Sequence, residues 1–150
     1  MRVTLQRYRP RGVPIEMGIP EGDFKPSVAS NDRYARVRLV ASRRGQVTTD
    51  QARINLLWFK DSINVSRANE ELLDFANARQ IRLEKVQGAA IYPWQEQRWR
   101  FSDRRAGIVG EALIGQFNGQ PFLVVHQLPV DMVEGYAPRI RAVLKTLQAR

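Results

Sequence analysis

From Tyr34 to Ser42 apolar and polar positions alternate. Ala35, Val37, Leu39 and Ala41 fall on one side of an extended chain, with Arg36 and Arg38 on the other, the period of a half-buried strand. Ala52–Lys60 is apolar on both sides and predicts a central strand. Val13–Pro20 is a short apolar run between proline-bearing turns, and it predicts an edge strand because Pro14 has no N–H for a ladder. The intervening GDFKPSVASNDR, residues 22–33, predicts a loop, and SRRGQVTTDQ, residues 42–51, a loop or hairpin connection. At Ser66 the period changes: Ala68, Leu72, Phe75 and Ala76 share one helical stripe, which predicts a helix ending near Gln80. Extended structure follows, interrupted at Gly88.

In the second half, GIVGEALIGQF and PFLVVHQLP flank Asn118-Gly119. Asn-Gly between two apolar runs predicts a tight hairpin, since both residues tolerate positive φ. Tyr136, Ile140, Val143, Leu144 and Leu147 form a second helical stripe, with Pro138 expected in the first turn. Between the two halves, QRWRFSD puts Trp99 and Phe101 on one side of a strand and Arg98 and Arg100 on the other. Runs of strands punctuated by two helices predict an α+β fold, an antiparallel sheet flanked by helices, in a single domain over residues 1–150. No internal repeat is present.

Charge sharpens the picture. Lys and Arg number 24 against 15 Asp and Glu, for a net charge of +9, a field that attracts acidic protein, nucleic acid or anionic lipid. Lysine occurs only at Lys25, Lys60, Lys85 and Lys145, so the excess is mostly guanidinium, which forks onto carboxylates and phosphates alike. The absence of cysteine excludes disulfides, thiolate metal sites and cysteine nucleophiles. No apolar run approaches the roughly 20 residues of a membrane span, and MRVTLQRYRP lacks the apolar core of a secretory signal. A soluble chain is expected, extracytoplasmic if a signal peptide has been removed.

Two stretches carry a resemblance. YRPRGVPIEMGIPEGDF, residues 8–24, reads as a strand entering a Pro-Glu-Gly turn, and GIVGEALIGQFNGQPFLVVHQLP followed by YAPRIRAVLKTLQ reads as a hairpin and closing helix. In both the chain resembles the PsbP-like family, whose fold is shared by extrinsic photosystem II proteins, Ran-binding Mog proteins and small bacterial extracytoplasmic proteins. The resemblance implies an α/β/α sandwich and members that act by binding a larger assembly rather than by turnover. No acidic or histidine cluster is available to receive a metal or anion site from the family.

The residues themselves offer no catalytic constellation. His126 is the only histidine, which excludes a multi-histidine metal site; beside Phe122, Val124 and Leu128 it reads as a structural, hydrogen-bonded residue. The carboxylates are dispersed, Glu111 among them, and Asp103 is expected to pair with Arg104 or Arg105. Neither a GxGxxG fingerprint nor a P-loop occurs. No catalytic residue, cofactor or metal is therefore expected. The basic surface is the functional candidate. If their strands are neighbours, Arg36, Arg38, Arg98 and Arg100 form one patch, adjoined by Arg104 and Arg105, with Tyr92 and Trp94 around Pro93 as an exposed aromatic anchor. That arrangement suits an accessory or assembly subunit holding an acidic region of a larger protein complex. Single-stranded nucleic-acid binding is the alternative, peripheral contact with an anionic membrane stays open, and the plain counterpart is a face that merely solubilises the sheet.

Overall fold

The computed structural model describes residues 4–43, 46–47, 49–60 and 65–150. In chain order the elements are β1 (Leu5–Tyr8), β2 (Ile15–Pro20), β3 (Phe24–Ser30), β4 (Tyr34–Arg43), β5 (Gln46–Val47), β6 (Arg53–Phe59), α1 (Val65–Arg79), β7 (Glu84–Lys85), β8 (Gln95–Asp103), β9 (Ile108–Phe117), β10 (Gln120–Pro129), a 3-10 turn (Val130–Met132), α2 (Val133–Thr146) and β11 (Gln148–Ala149). Asn118 and Gly119 take φ of 53° and 83° and close the β9–β10 hairpin, the geometry that Asn-Gly favours.

The main sheet runs β3-β4-β6-β10-β9-β8-β7, with β5 paired to the end of β4, and all its pairings are antiparallel. A second sheet, β1-β2-β11, lies with α2 on one side. Directly opposed residues of an antiparallel ladder share a face, so the register sorts the side chains. Val37, Leu56, Val124 and Leu113 form one cross-strand row and pack with Ile15, Met17, Tyr136, Ile140 and Leu144 in the larger apolar cluster. Leu123, Ala112 and Ile114 face the other way and pack under Ala68 and Leu72 of α1. Each fully buried Leu, Ile or Phe contributes about 1.5–3 kcal/mol on transfer from water, and both clusters are built of them. The layers are therefore helix and small sheet, main sheet, helix, which is the α/β/α sandwich expected.

Three local expectations are corrected. Residues 24–30 form a strand, not a loop: β3 pairs with β4 from Phe24↔Ala41 to Ser30↔Ala35, and Pro26 is tolerated because β3 is the sheet's edge. β2 is not an edge strand but the middle of the small sheet, held by β1 and β11; Pro14 precedes it and accepts from the Arg150 N–H at 3.0 Å. Pro138 lies inside α2, because the 3-10 turn starts the helix earlier than the apolar stripe suggests. Among the described residues no helix is long and apolar enough to cross a membrane.

Candidate functional site

The register divides the predicted arginine patch. β6, β10 and β9 separate β4 from β8, so Arg36 and Arg38 are not neighbours of Arg98 and Arg100. They are also on opposite faces. Arg38 opposes Asn55, in the row of Val125 and Ala112 on the α1 side, whereas Arg98 opposes Leu113 on the α2 side. Each strand alternates as its sequence predicts, but nothing in either strand indicates which of its faces meets which helix.

On the α1 side, the helix lies over β9 and β10 and its cluster takes in Phe59 at the end of β6, while Arg36, Arg38, Arg53 and Asn55 on the same face of β4 and β6 are half-buried. There Arg36 and Arg38 meet two arginines that the sequence pattern did not single out, Arg53 of β6 and Arg79 at the end of α1. Burial, followed by the charges of Arg79 and Arg38, pushes the Arg53 guanidinium below its ordinary value. Burial, followed by Arg36, does the same to Arg38. Both stay charged at neutral pH, because arginine titrates so far above it. Arg38 Nε donates to Asn55 Oδ1 at 2.9 Å, Arg53 Nη1 to the Asp50 carbonyl at 2.8 Å and Arg79 Nη1 to Gln127 Oε1 at 2.7 Å. The Nε atoms of Arg36 and Arg53 are buried without a hydrogen-bond partner. Among the described residues none of these four guanidinium groups makes an ion pair. Three of the four like charges are thus held by neutral acceptors, with the Asp50 charge offsetting part of the repulsion at Arg38 and Arg53, an arrangement that still leaves a cationic excess for anionic groups arriving from outside.

Tyr92 and Trp94 are not an exposed anchor. Each is 3% exposed, and their rings stack 5.0 Å apart at 2°. They sit in the larger apolar cluster: Trp94 lies against Phe122 and over Gly115, where a Cβ would lie 2.5 Å from the indole Cε3, and its Nε1 donates to the Leu144 carbonyl. Burial, then the Glu111 charge, raises the Tyr92 phenol above its ordinary value. Arg104 and Arg105 are exposed in the β8–β9 turn, where Arg105 Nη1 donates to Gln80 Oε1 at 3.3 Å. Asp103 pairs with neither; its Oδ1 accepts the Ala106 N–H at 3.3 Å and shapes the turn.

On the α2 side the register assembles a second polar group. His126, Glu111, Arg100 and Glu84 stand in one cross-strand row. Arg98 Nε donates to Glu111 Oε2 at 2.6 Å, and His126 Nε2 lies 3.3 Å from Glu111 Oε1. No partner completes ideal hydrogen-bond geometry at that nitrogen, so the contact with Glu111 is a close electrostatic approach rather than an aligned bond. Burial alone would raise the Glu111 carboxyl, but His126 and Arg98 outweigh it and hold it below the ordinary carboxylate value. Among the described residues no group of three or more His, Asp and Glu side chains is placed to hold a metal ion.

Comparison with known proteins separates fold from sequence. No family model matches the chain, and no curated protein matches it. A cyanobacterial PsbP from Synechocystis sp. PCC 6803, solved in solution, superposes over 100% of this chain and 95% of its own, with a TM-score of 0.58 at 12% identity. The fold is PsbP-like. A protein from Bacteroides thetaiotaomicron VPI-5482 superposes over 100% of this chain and 49% of its own, with a TM-score of 0.53 at 15% identity. The resemblance inferred from the opening strand and the closing hairpin and helix therefore holds at the level of the PsbP-like fold. At such identity the likeness carries architecture and no site residue.

Proposed function

We propose that this protein is a non-catalytic accessory subunit that holds an acidic region of a larger protein complex on Arg36, Arg38, Arg53 and Arg79. The observation that carries the reading is the clustering of those half-buried guanidinium groups on one sheet face beside α1, with two Nε donors buried and unpartnered. An acidic segment laid across β3, β4 and β6 supplies the missing carboxylates, and charge-assisted, forked pairing is the strongest hydrogen bonding available to Arg. The PsbP-like fold supports an accessory role by analogy of architecture. Arg98, Arg100, Arg104 and Arg105 lie outside this surface.

The test is a fluorescence titration with a labelled decaglutamate peptide and a 12-nucleotide oligothymidylate at low and physiological salt. Peptide binding that is lost in the double variant Arg36→Glu, Arg38→Glu and retained in Arg100→Glu is the expected result. Oligonucleotide binding much tighter than peptide, with a steep salt slope, would overturn the reading in favour of nucleic acid, as would equal loss in both variants.

A further inference from the structure

Beneath the start of α2 the α2-side face of β8, β9 and β10 is not fully covered. Val133 and Ala137 of the helix overhang it, β7 forms a side wall, and a cavity of about 910 Å³ remains between them. That is within the roughly 300–1,000 Å³ of small-molecule sites. Its walls are apolar at Val109, Leu128, Val133 and Ala137.

The charges around it are uneven. Arg82 and Arg100 line the cavity and are exposed, and among the described residues neither makes an ion pair; Lys85 opposes Trp99 and so faces the other side of the sheet. Glu84 is the one carboxylate beside them. Deeper in, Glu111 is already matched by Arg98, so it repels an incoming anion far less than a bare carboxylate would. His126 Nε2 lies buried at the cavity wall without a completed hydrogen bond. Apolar walls, surplus cations and an unfilled polar position describe a site for a molecule with a hydrocarbon body and an anionic head.

We propose that this cavity binds a small amphipathic carboxylate, its head on Arg100 and Arg82 and its body against Val109, Leu128 and Val133. The site lies on the opposite face from Arg36 and Arg38 and stands or falls independently of the docking surface.

Isothermal titration of the whole chain with decanoate, and with 1-decanol as the neutral counterpart, tests it. Saturable one-to-one binding of decanoate is expected, weakened about tenfold or more, as loss of a charged contact brings, for 1-decanol and in Arg100→Glu, and blocked in Ala137→Phe, which fills the cavity from the helix. Should either variant fold poorly, amide chemical shifts of the unaltered protein provide the same test, with decanoate expected to perturb Val109, Leu128 and Ala137. Absence of saturable binding, equal affinity for 1-decanol, or perturbations mapping elsewhere overturns the proposal.

Discussion

Trp94 Nε1 donates to the Leu144 carbonyl at 3.0 Å, so an indole that precedes β8 is fastened to the last turn of α2. The bond adds a second donor to a carbonyl of the last turn that also accepts the capping Leu147 N–H, while the ring fills the space over Gly115. Trp94→Phe keeps most of the packing and loses the donor; the Leu144 carbonyl keeps the capping Leu147 N–H at 3.4 Å, so the expected cost is that of one lost hydrogen bond, about 0.5–1.5 kcal/mol. Trp94→Ala should cost about 3–5 kcal/mol. Urea denaturation of both variants checks the order. A Trp94→Ala variant as stable as the parent would mean the indole is not part of the interior.

Gly115→Ala tests the same contact from the sheet. The new Cβ would lie 2.5 Å from Trp94 Cε3, 2.7 Å from the Trp94 carbonyl oxygen and 2.9 Å from Phe122 Cζ, so backbone as well as side chain must move. Destabilisation of about 1–3 kcal/mol is expected for such overpacking, read as a lowered urea midpoint with unchanged slope.

Acid sensitivity should trace partly to Glu111. Its folded-state carboxyl titrates below the ordinary 4.5, so its interactions contribute fully above that pH and are lost as pH falls from 4.5 through the lower folded value. Glu111→Gln should be less stable than the parent at pH 7, by about 1–3 kcal/mol for charged hydrogen bonds to Arg98. Thermal melts of the two proteins, followed from pH 7 downward, should converge below pH 4.5. A gap that stays constant with pH would rule the carboxylate out.

At the basic face, stability and binding should part company. Arg36 carries a buried, unpartnered Nε and its charge acts against Arg38. Arg36→Leu is therefore expected to be neutral or stabilising by up to about 1 kcal/mol while weakening decaglutamate binding. A clear drop in melting temperature would show the side chain to be structural instead.

How much of this was legible in the sequence depends on the range of the signal. The alternation of Tyr34–Ser42 and the Asn118-Gly119 turn are local patterns, and the strand and hairpin follow them. The stripe from Ala68 to Ala76 likewise gives α1. Residues 24–30 hid a strand because an edge strand with Pro26 and small polar residues lacks the apolar alternation of a half-buried one. The site was less legible for a different reason. Whether Arg38 shares a face with Arg98 depends on the order of strands between them, and strand order is not a property of either segment. Arg53 opens a strand read as apolar throughout, and Arg79 continues the stripe of α1 one turn past Phe75, over whose ring it lies, where an apolar residue would be expected. Glu111, Arg98 and His126 are brought together only by the β8-β9-β10 register. Tyr92 and Trp94 lie inside because residues distant in the chain receive them, Phe122 beside the indole and Gly115 leaving room under it, and neither is visible from the segment around Pro93.

β10 gives alternate side chains to the two apolar clusters, Phe122 and Val124 to one and Leu123 and Val125 to the other. It serves as a party wall: neither room can be emptied while the other stays furnished. Heating should therefore produce one melting event with calorimetric and van't Hoff enthalpies in agreement, and a partner that clamps either side of the molecule should raise the melting point of the whole.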